Sequence, residues 1–259
     1  VVTRFLTAGS LRQGVLPSSR VDMSAIPVIL LLGFLLAAAA PWLIRFLGRF
    51  AGVVLAIYPA GVLLFFLGQV GILMEGERIL TSLPWIPTLG VQLSFLIDGL
   101  SLLFVLIICG IGALILVYAE EYLHGHPQLG RFFSFMLLFM VSMLGLVLAD
   151  DVITLFVFWE LTSISSYLLI GFNHLDPKAR SAALQALLVT GGGGLALLAG
   201  LLLFASVGGS LELSVLLSRG DVIHAHGLYL PMLLLVLIGV FTKSAQFPFH
   251  FWLPNAMEA

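Results

Sequence analysis

The chain has 259 residues, of which 61% are hydrophobic and 9% charged, and its net charge is near −2. Soluble domains carry roughly 25% charged residues, so a water-soluble globule is excluded, and a near-neutral balance offers nothing to attract nucleic acid. The single cysteine, Cys109, cannot form an intrachain disulfide and reads as a small core residue.

Residues 1–22 carry Arg4, Arg12 and Arg20 and lack a long apolar run. The first methionine is Met23, directly before the first hydrophobic stretch. Residues 1–22 are therefore read as a non-native or disordered extension, with translation beginning at Met23. From there a bilayer crossing needs about 20 apolar residues. With charges and turn residues as breaks, seven spans result, at 25–44, 51–74, 93–118, 132–149, 152–172, 181–206 and 228–254. The fold class is an all-α polytopic membrane protein. The proline-rich segment Leu80–Gly90 is too short to cross, and an outer loop or hairpin is expected near 79–92 with Trp85 at headgroup level.

Positive residues collect on the cytoplasmic side of membrane proteins. The loops after the first, third and fifth spans hold Arg45, Arg49, Arg131, Lys178 and Arg180; those after the second, fourth and sixth hold Arg78 and Arg219. This places the amino terminus outside and the last residue in the cytoplasm. Counting Arg4, Arg12 and Arg20 would make a tie, which supports setting residues 1–22 aside. The pairs His124/His126 and His224/His226 then lie on opposite faces and cannot share a metal ion. They read as solvated loop histidines, as do the acids Glu120 and Glu121 at the end of the third span.

Two charges fall inside spans. Glu160 lies nine residues beyond Asp151, about 13 Å deep at 1.5 Å per residue. Ser163 and Tyr167 follow at i+3 and i+7 on the same helical face and could hydrogen-bond the carboxylate. Lys243 lies inside the seventh span, with Gln246 and His250 at i+3 and i+7. Pro248 interrupts that stripe, and its ring clashes with the carbonyl of Ser244, so a break is expected there. An ionisable residue at membrane depth is costly and usually serves an ion or proton path. Burial disfavours the charged form of either group and a nearby opposite charge restores it, so a Glu–Lys pair of variable spacing would act as a proton switch. The alternative is a carboxylate and an ammonium that only tie helices together. Asp98, in Asp98-Gly-Leu-Ser101, reads as a helix cap rather than a vestibule residue. Gly191–Gly194 allow close helix approach or local unwinding. Phosphate-loop, dinucleotide, haem and nucleophile motifs are absent, so no cofactor and no enzyme activity are expected.

Phe158-Trp-Glu-Leu-Thr-Ser-Ile-Ser-Ser-Tyr167 and Thr242-Lys-Ser-Ala-Gln-Phe-Pro-Phe-His-Phe-Trp-Leu-Pro254 resemble the fifth and the broken seventh helix of antiporter-like subunits. These are shared by Mrp-type cation/proton antiporters and respiratory complex I, and Asp98-Gly-Leu-Ser101 is similar to their third-helix signature. Within the family the chain is most similar to the large A subunit of Mrp antiporters. The resemblance runs from about Met23 to Ala259. It implies that Glu160 and Lys243 form an ion pair gating protons, with His250 a further relay residue. It also implies a core of about fourteen helices with two inverted five-helix repeats. Residues 23–122 would be three amino-terminal helices and 123–259 the first four helices of the first repeat, making this chain a fragment. The implied partners are the other membrane subunits of an antiporter complex, H+, a monovalent cation such as Na+, and the lipid of a prokaryotic plasma membrane. A proton-pumping subunit of complex I or a membrane-bound hydrogenase, and a purely structural subunit, stay open.

Overall fold

The computed structural model describes residues 25–257; the reading of residues 1–22 lies outside them. Six long apolar helices form the body: α1 (Ala25–Leu47), α2 (Ala51–Leu67), α4 (Gly99–Tyr122), α5 (Leu129–Leu148), α6 (Val152–Ile170) and α7 (Pro177–Gly208). A short α3 (Val70–Met74) follows α2, two short helices, α8 (Leu213–Ser218) and α9 (Gly220–Ala225), lie between α7 and α10 (Tyr229–Lys243), and α11 (Trp252–Ala256) is last. α1 and α2 are joined by a single turn of 3₁₀ helix, Gly48–Phe50, and together make one of five helical stretches long and apolar enough to cross a membrane.

The chain is mostly helical, and one element departs from the all-α expectation. Ile79–Ile86 (β1) and Val91–Ile97 (β2) pair as an antiparallel hairpin, Ile79 opposite Ile97 and Leu83 opposite Leu93. Gly90 closes it at φ +68, a left-handed conformation open to glycine at little cost. The hairpin runs on to Ile97, so the third span starts at Gly99 rather than 93. Leu93, Phe95 and Ile97 are apolar because they pack on the bundle, not because they enter lipid as helix. The true helix start is marked by a capping box. Asp98 Oδ1 accepts from the Ser101 N–H at 2.8 Å and Ser101 Oγ accepts from the Asp98 N–H at 2.8 Å.

Packing is carried by complementary small and large side chains. α1 lies on α5, α2 on α4, and α6 between α5 and α7, while α10 lies on α7. A Cβ on Gly145 of α5 would run into the Phe158 ring of α6, and one on Gly33 of α1 would strike Tyr58, whose hydroxyl donates to the Ile29 carbonyl at 2.8 Å. Cys109 is fully buried among these apolar residues. Glu120 is not solvated: it is 7% exposed, and its carboxylate accepts the Gly52 N–H at the start of α2. That N–H is one of the unpaired donors of a helix amino terminus, so a buried anion is satisfied there. His124/His126 and His224/His226 sit at opposite ends of the bundle and are exposed, with His224 in the last turn of α9 rather than in a loop.

Asp150 and Asp151 form the corner that holds the hairpin end together; both are almost fully buried. Asp151 caps α6 through the Ile153 and Thr154 N–H groups at 2.8 and 3.0 Å. Asp150 accepts from the Ser214 N–H at 2.9 Å and from Ser214 Oγ at 2.7 Å, while its own N–H donates to the Ser94 carbonyl. One residue thus ties the hairpin to the first turn of α8, and that corner sets where α6 begins. Asp150→Ala removes two charge-assisted bonds, a cost on the order of 2–3 kcal/mol. Amide exchange should then rise first across residues 210–218 and 92–96, with α1 and α4 little changed.

Candidate functional site

α10 ends in mid-span, at Lys243, 15 residues from its start. The break is therefore five residues earlier than Pro248, the position that the proline rule singles out. Ala245 sits at φ +52, and the Gln246 N–H closes back on the Phe241 carbonyl at 2.9 Å, the six-to-one bond of a Schellman cap. The carbonyls released by the cap find partners. Phe241 accepts from the Gln246 N–H and Thr242 from Trp252 Nε1 at 2.9 Å, while Val240 keeps its helical bond from the Ser244 N–H at 2.9 Å and takes a second from Ser244 Oγ at 2.7 Å. Pro248 follows the cap, where it keeps the helix from resuming before the 3₁₀ turn Phe249–Phe251.

The cap leaves Lys243 as the last helical residue, so its ammonium meets the partial negative charge of the α10 carboxy terminus. Such placement is worth about 0.3–1 kcal/mol at a surface and up to ~2 when partly buried. Lys243 Nζ donates to Thr162 Oγ1 and Ser163 Oγ of α6, both at 2.8 Å, and lies 5.5 Å from the centre of the Trp159 ring. The two hydroxyls in turn donate to the Trp159 carbonyl, at 2.7 and 3.2 Å. Each therefore accepts a lysine proton while its own proton is spent on the helix backbone, and the ammonium is held between two oriented oxygens and an aromatic face.

Glu160 points elsewhere. Its carboxylate lies on the glycine run of α7, where a Cβ on Gly194 would overlap Oε1 and one on Gly191 would lie 3.8 Å from Oε2. Among the described residues, buried Oε1 has no hydrogen-bond partner, and neither has Trp159 Nε1. Among the described residues no hydrogen bond joins Glu160 to Lys243. The direct pair implied by the resemblance is thus open in this structure: the Glu160 carboxylate of α6 is turned to α7, and the Lys243 ammonium, at the end of α10, is supported by two hydroxyls of α6.

Of the polar residues picked from the sequence, Ser163 is at the site but serves the lysine rather than the glutamate. Tyr167, two turns along α6, makes no hydrogen bond to Glu160. Ser244, at the end of α10, is used by the backbone. Gln246 and His250 do not extend a stripe below Lys243, because the helix that would align them has ended; His250 is exposed and stacks on Phe247 at 5.7 Å. Asp98 caps α4 at the hairpin end. Sequence reasoning missed Thr162 and Thr242. Thr162 is two residues from Glu160, on a different helical face, and only the position of α10 reveals its use. Thr242 would be struck by a Cβ on Gly193, its own Cβ being 2.6 Å away, and a Cβ on Gly239 of α10 would come within 2.9 Å of the Gly193 carbonyl. Consecutive glycines of α7 thus seat two different helices, Gly194 the α6 carboxylate and Gly193 the end of α10.

Two sets of expectations follow. Gly193→Ala should overpack the α7–α10 contact, a cost of about 1–3 kcal/mol, and lower the unfolding midpoint. Gly192→Ala, with no atom within 4 Å of the added carbon, should not. Ala245→Gly should raise the midpoint, since a left-handed alanine costs about 1–2 kcal/mol that glycine avoids. Both are read by thermal unfolding in detergent or lipid nanodiscs.

The fold has counterparts among known proteins. Residues 149–259 match the family described as NADH:quinone oxidoreductase/Mrp antiporter, TM, and residues 85–133 match the one described as NADH-Ubiquinone oxidoreductase (complex I), chain 5 N-terminus. Antiporter subunit mnhA2 of Staphylococcus haemolyticus (strain JCSC1435) is 44% identical over 217 residues, covering 83% of this chain and 27% of that protein. Its counterpart in Staphylococcus aureus (strain USA300 / TCH1516) is 43% identical over 216 residues, with the same coverage. Among solved structures, the Mrp complex from Dietzia sp. DQ12-45-1b superimposes with a TM-score of 0.79 at 40% identity, over 91% of this chain and 25% of that one. The membrane-bound sulfane sulfur reductase, an archaeal respiratory membrane complex, gives 0.73 at 25% identity, over 90% and 36%. The chain thus spans about a quarter of the length of the curated relatives it matches.

Proposed function

The chain belongs to the antiporter-like membrane subunits of the Mrp antiporter and NADH:quinone oxidoreductase family, and from that premise we propose that it forms part of a monovalent cation/proton antiporter, with Na+ the expected cation, in which Glu160 and Lys243 gate proton movement. The observation that carries this reading is the split seating of the two charges. Lys243 Nζ rests on Thr162 and Ser163, while the Glu160 carboxylate keeps an oxygen without a hydrogen-bond partner. Both groups are buried enough to have few alternatives to each other. A small movement of α10, which ends at the lysine, exchanges hydroxyl partners for the carboxylate. Closing the pair stabilises both charges; opening it favours transfer of a proton between the ammonium and a neighbouring acceptor. His250, on the far side of the break, is the candidate next acceptor.

The same reading places residues 123–259 in the first antiporter-like repeat, with further subunits completing the complex, and the end bearing Arg45, Arg49, Arg131, Lys178 and Arg180 in the cytoplasm of a prokaryotic cell. A redox-driven pump is the second reading, supported by the likeness to the sulfane sulfur reductase complex. The higher identity to Mrp proteins, 40–44% against 25%, favours antiport.

In everted vesicles carrying the assembled complex, Glu160→Gln and Lys243→Ala should each reduce cation-dependent proton exchange by at least about tenfold while the subunit still assembles. The double variant Thr162→Val/Ser163→Ala should shift the pH profile of exchange rather than abolish it. Full exchange by Glu160→Gln, with only assembly impaired, would show the pair to be helix glue.

A further inference from the structure

A cavity of about 550 Å³ opens at the basic end of the bundle, away from the Glu160–Lys243 site. It lies between the end of α1, the Gly48–Phe50 turn, the end of α4 and the start of α5, and its charged lining is Arg45, Arg49, Arg131 and Glu120, with His124 and His126 at the rim. Three guanidiniums face one carboxylate. That carboxylate already accepts the Gly52 N–H and is buried, so its capacity to neutralise the cavity is partly used. Arg131 Nη1 bonds only neutral partners, Gln128 Oε1 at 3.3 Å and His174 Nδ1 at 2.9 Å. Arg45 and Arg49 are exposed and make no hydrogen bond or ion pair among the described residues. Gly48, at φ +54, turns the chain between Arg45, in the last turn of α1, and Arg49, in the connection to α2.

The position of the cavity suggests what fills it. Trp42 is 61% exposed, Phe46 87% and Phe50 63%, all within one turn of Arg45 or Arg49. Aromatic side chains so exposed, next to the end of an apolar helix, mark the level of the lipid headgroups. A basic pocket between helix ends at that level matches a phosphodiester anion with an acyl tail lying outward over the aromatic rings. Guanidinium forks suit phosphate oxygens, which they bind two at a time.

We propose that this cavity binds the headgroup of an anionic phospholipid, with Arg45 and Arg49 holding the phosphate and Arg131 closing the inner wall. Free phosphate shares the chemistry and is separated by the test. The protein in its native assembly is delipidated and returned to nanodiscs of phosphatidylcholine with increasing phosphatidylglycerol, and bound lipid is counted by native mass spectrometry. Retained phosphatidylglycerol is expected, with affinity about fivefold weaker in Arg45→Gln or Arg49→Gln and roughly 25-fold weaker in the double variant. Both side chains are exposed, so folding should be unchanged, and Arg180→Gln at the same end controls for general surface charge. Equal retention by the double variant and the wild type, or an equal loss in Arg180→Gln, overturns the proposal. Inorganic phosphate competing fully at millimolar concentration assigns the cavity to a soluble anion and overturns the lipid.

Discussion

A helix that stops inside a membrane must satisfy its last carbonyls without bulk water, and the region around Lys243 is organised by that requirement. The Schellman closure at Ala245 and the indole of Trp252 each take one of the released carbonyls, and the Ser244 hydroxyl adds a second bond to the Val240 carbonyl of the last turn. Trp252 belongs to the segment after the break, so the break and its sequel fold as one unit. The reward is electrostatic: the negative end of α10 is delivered to the ammonium at a depth where few other counter-charges exist.

Placing Lys243 at a helix end also explains the traffic of hydrogen bonds on α6. Thr162 and Ser163 donate to the backbone of their own helix and accept from the lysine. Such donors-turned-acceptors are inexpensive to vacate, because the hydroxyls keep their backbone bond when the ammonium leaves. Glu160 has the opposite character. It is anchored sterically, by the absence of side chains on Gly191 and Gly194, and one of its oxygens is left without a hydrogen-bond partner. A charge held by shape and a charge held by exchangeable bonds make an asymmetric couple, in which the lysine side is the mobile one.

Much of this was legible in the amino-acid sequence. The apolar runs located α1, α5, α6 and α7 to within a few residues, because lipid imposes a length that composition must meet, whereas the second run, read to 74, outlasts α2, which ends at Leu67. Glu160 and Lys243 stood out for the same reason. The third span was misplaced at its start, since Leu93 and Phe95 are as apolar in a packed strand as in a lipid-facing helix. The seventh was expected to break at Pro248, the strongest local signal, whereas tertiary partners for the carbonyls moved the break to Lys243. Glu120 passed for a surface acid because its partner is a backbone N–H 68 residues away. Thr162, Thr242 and the double use of Gly193 and Gly194 depend on which helices become neighbours, which no local pattern encodes.

The length of α7 bears on all of these. Its 32 residues extend about 48 Å, more than the 40–45 Å of a bilayer with its headgroups. The helix must therefore incline or protrude, and the seats for Glu160 and Thr242 travel with it. Hydrophobic mismatch acts directly on this element. A thinner bilayer demands a greater inclination, and with it a different alignment of two glycine seats that share one rigid axis.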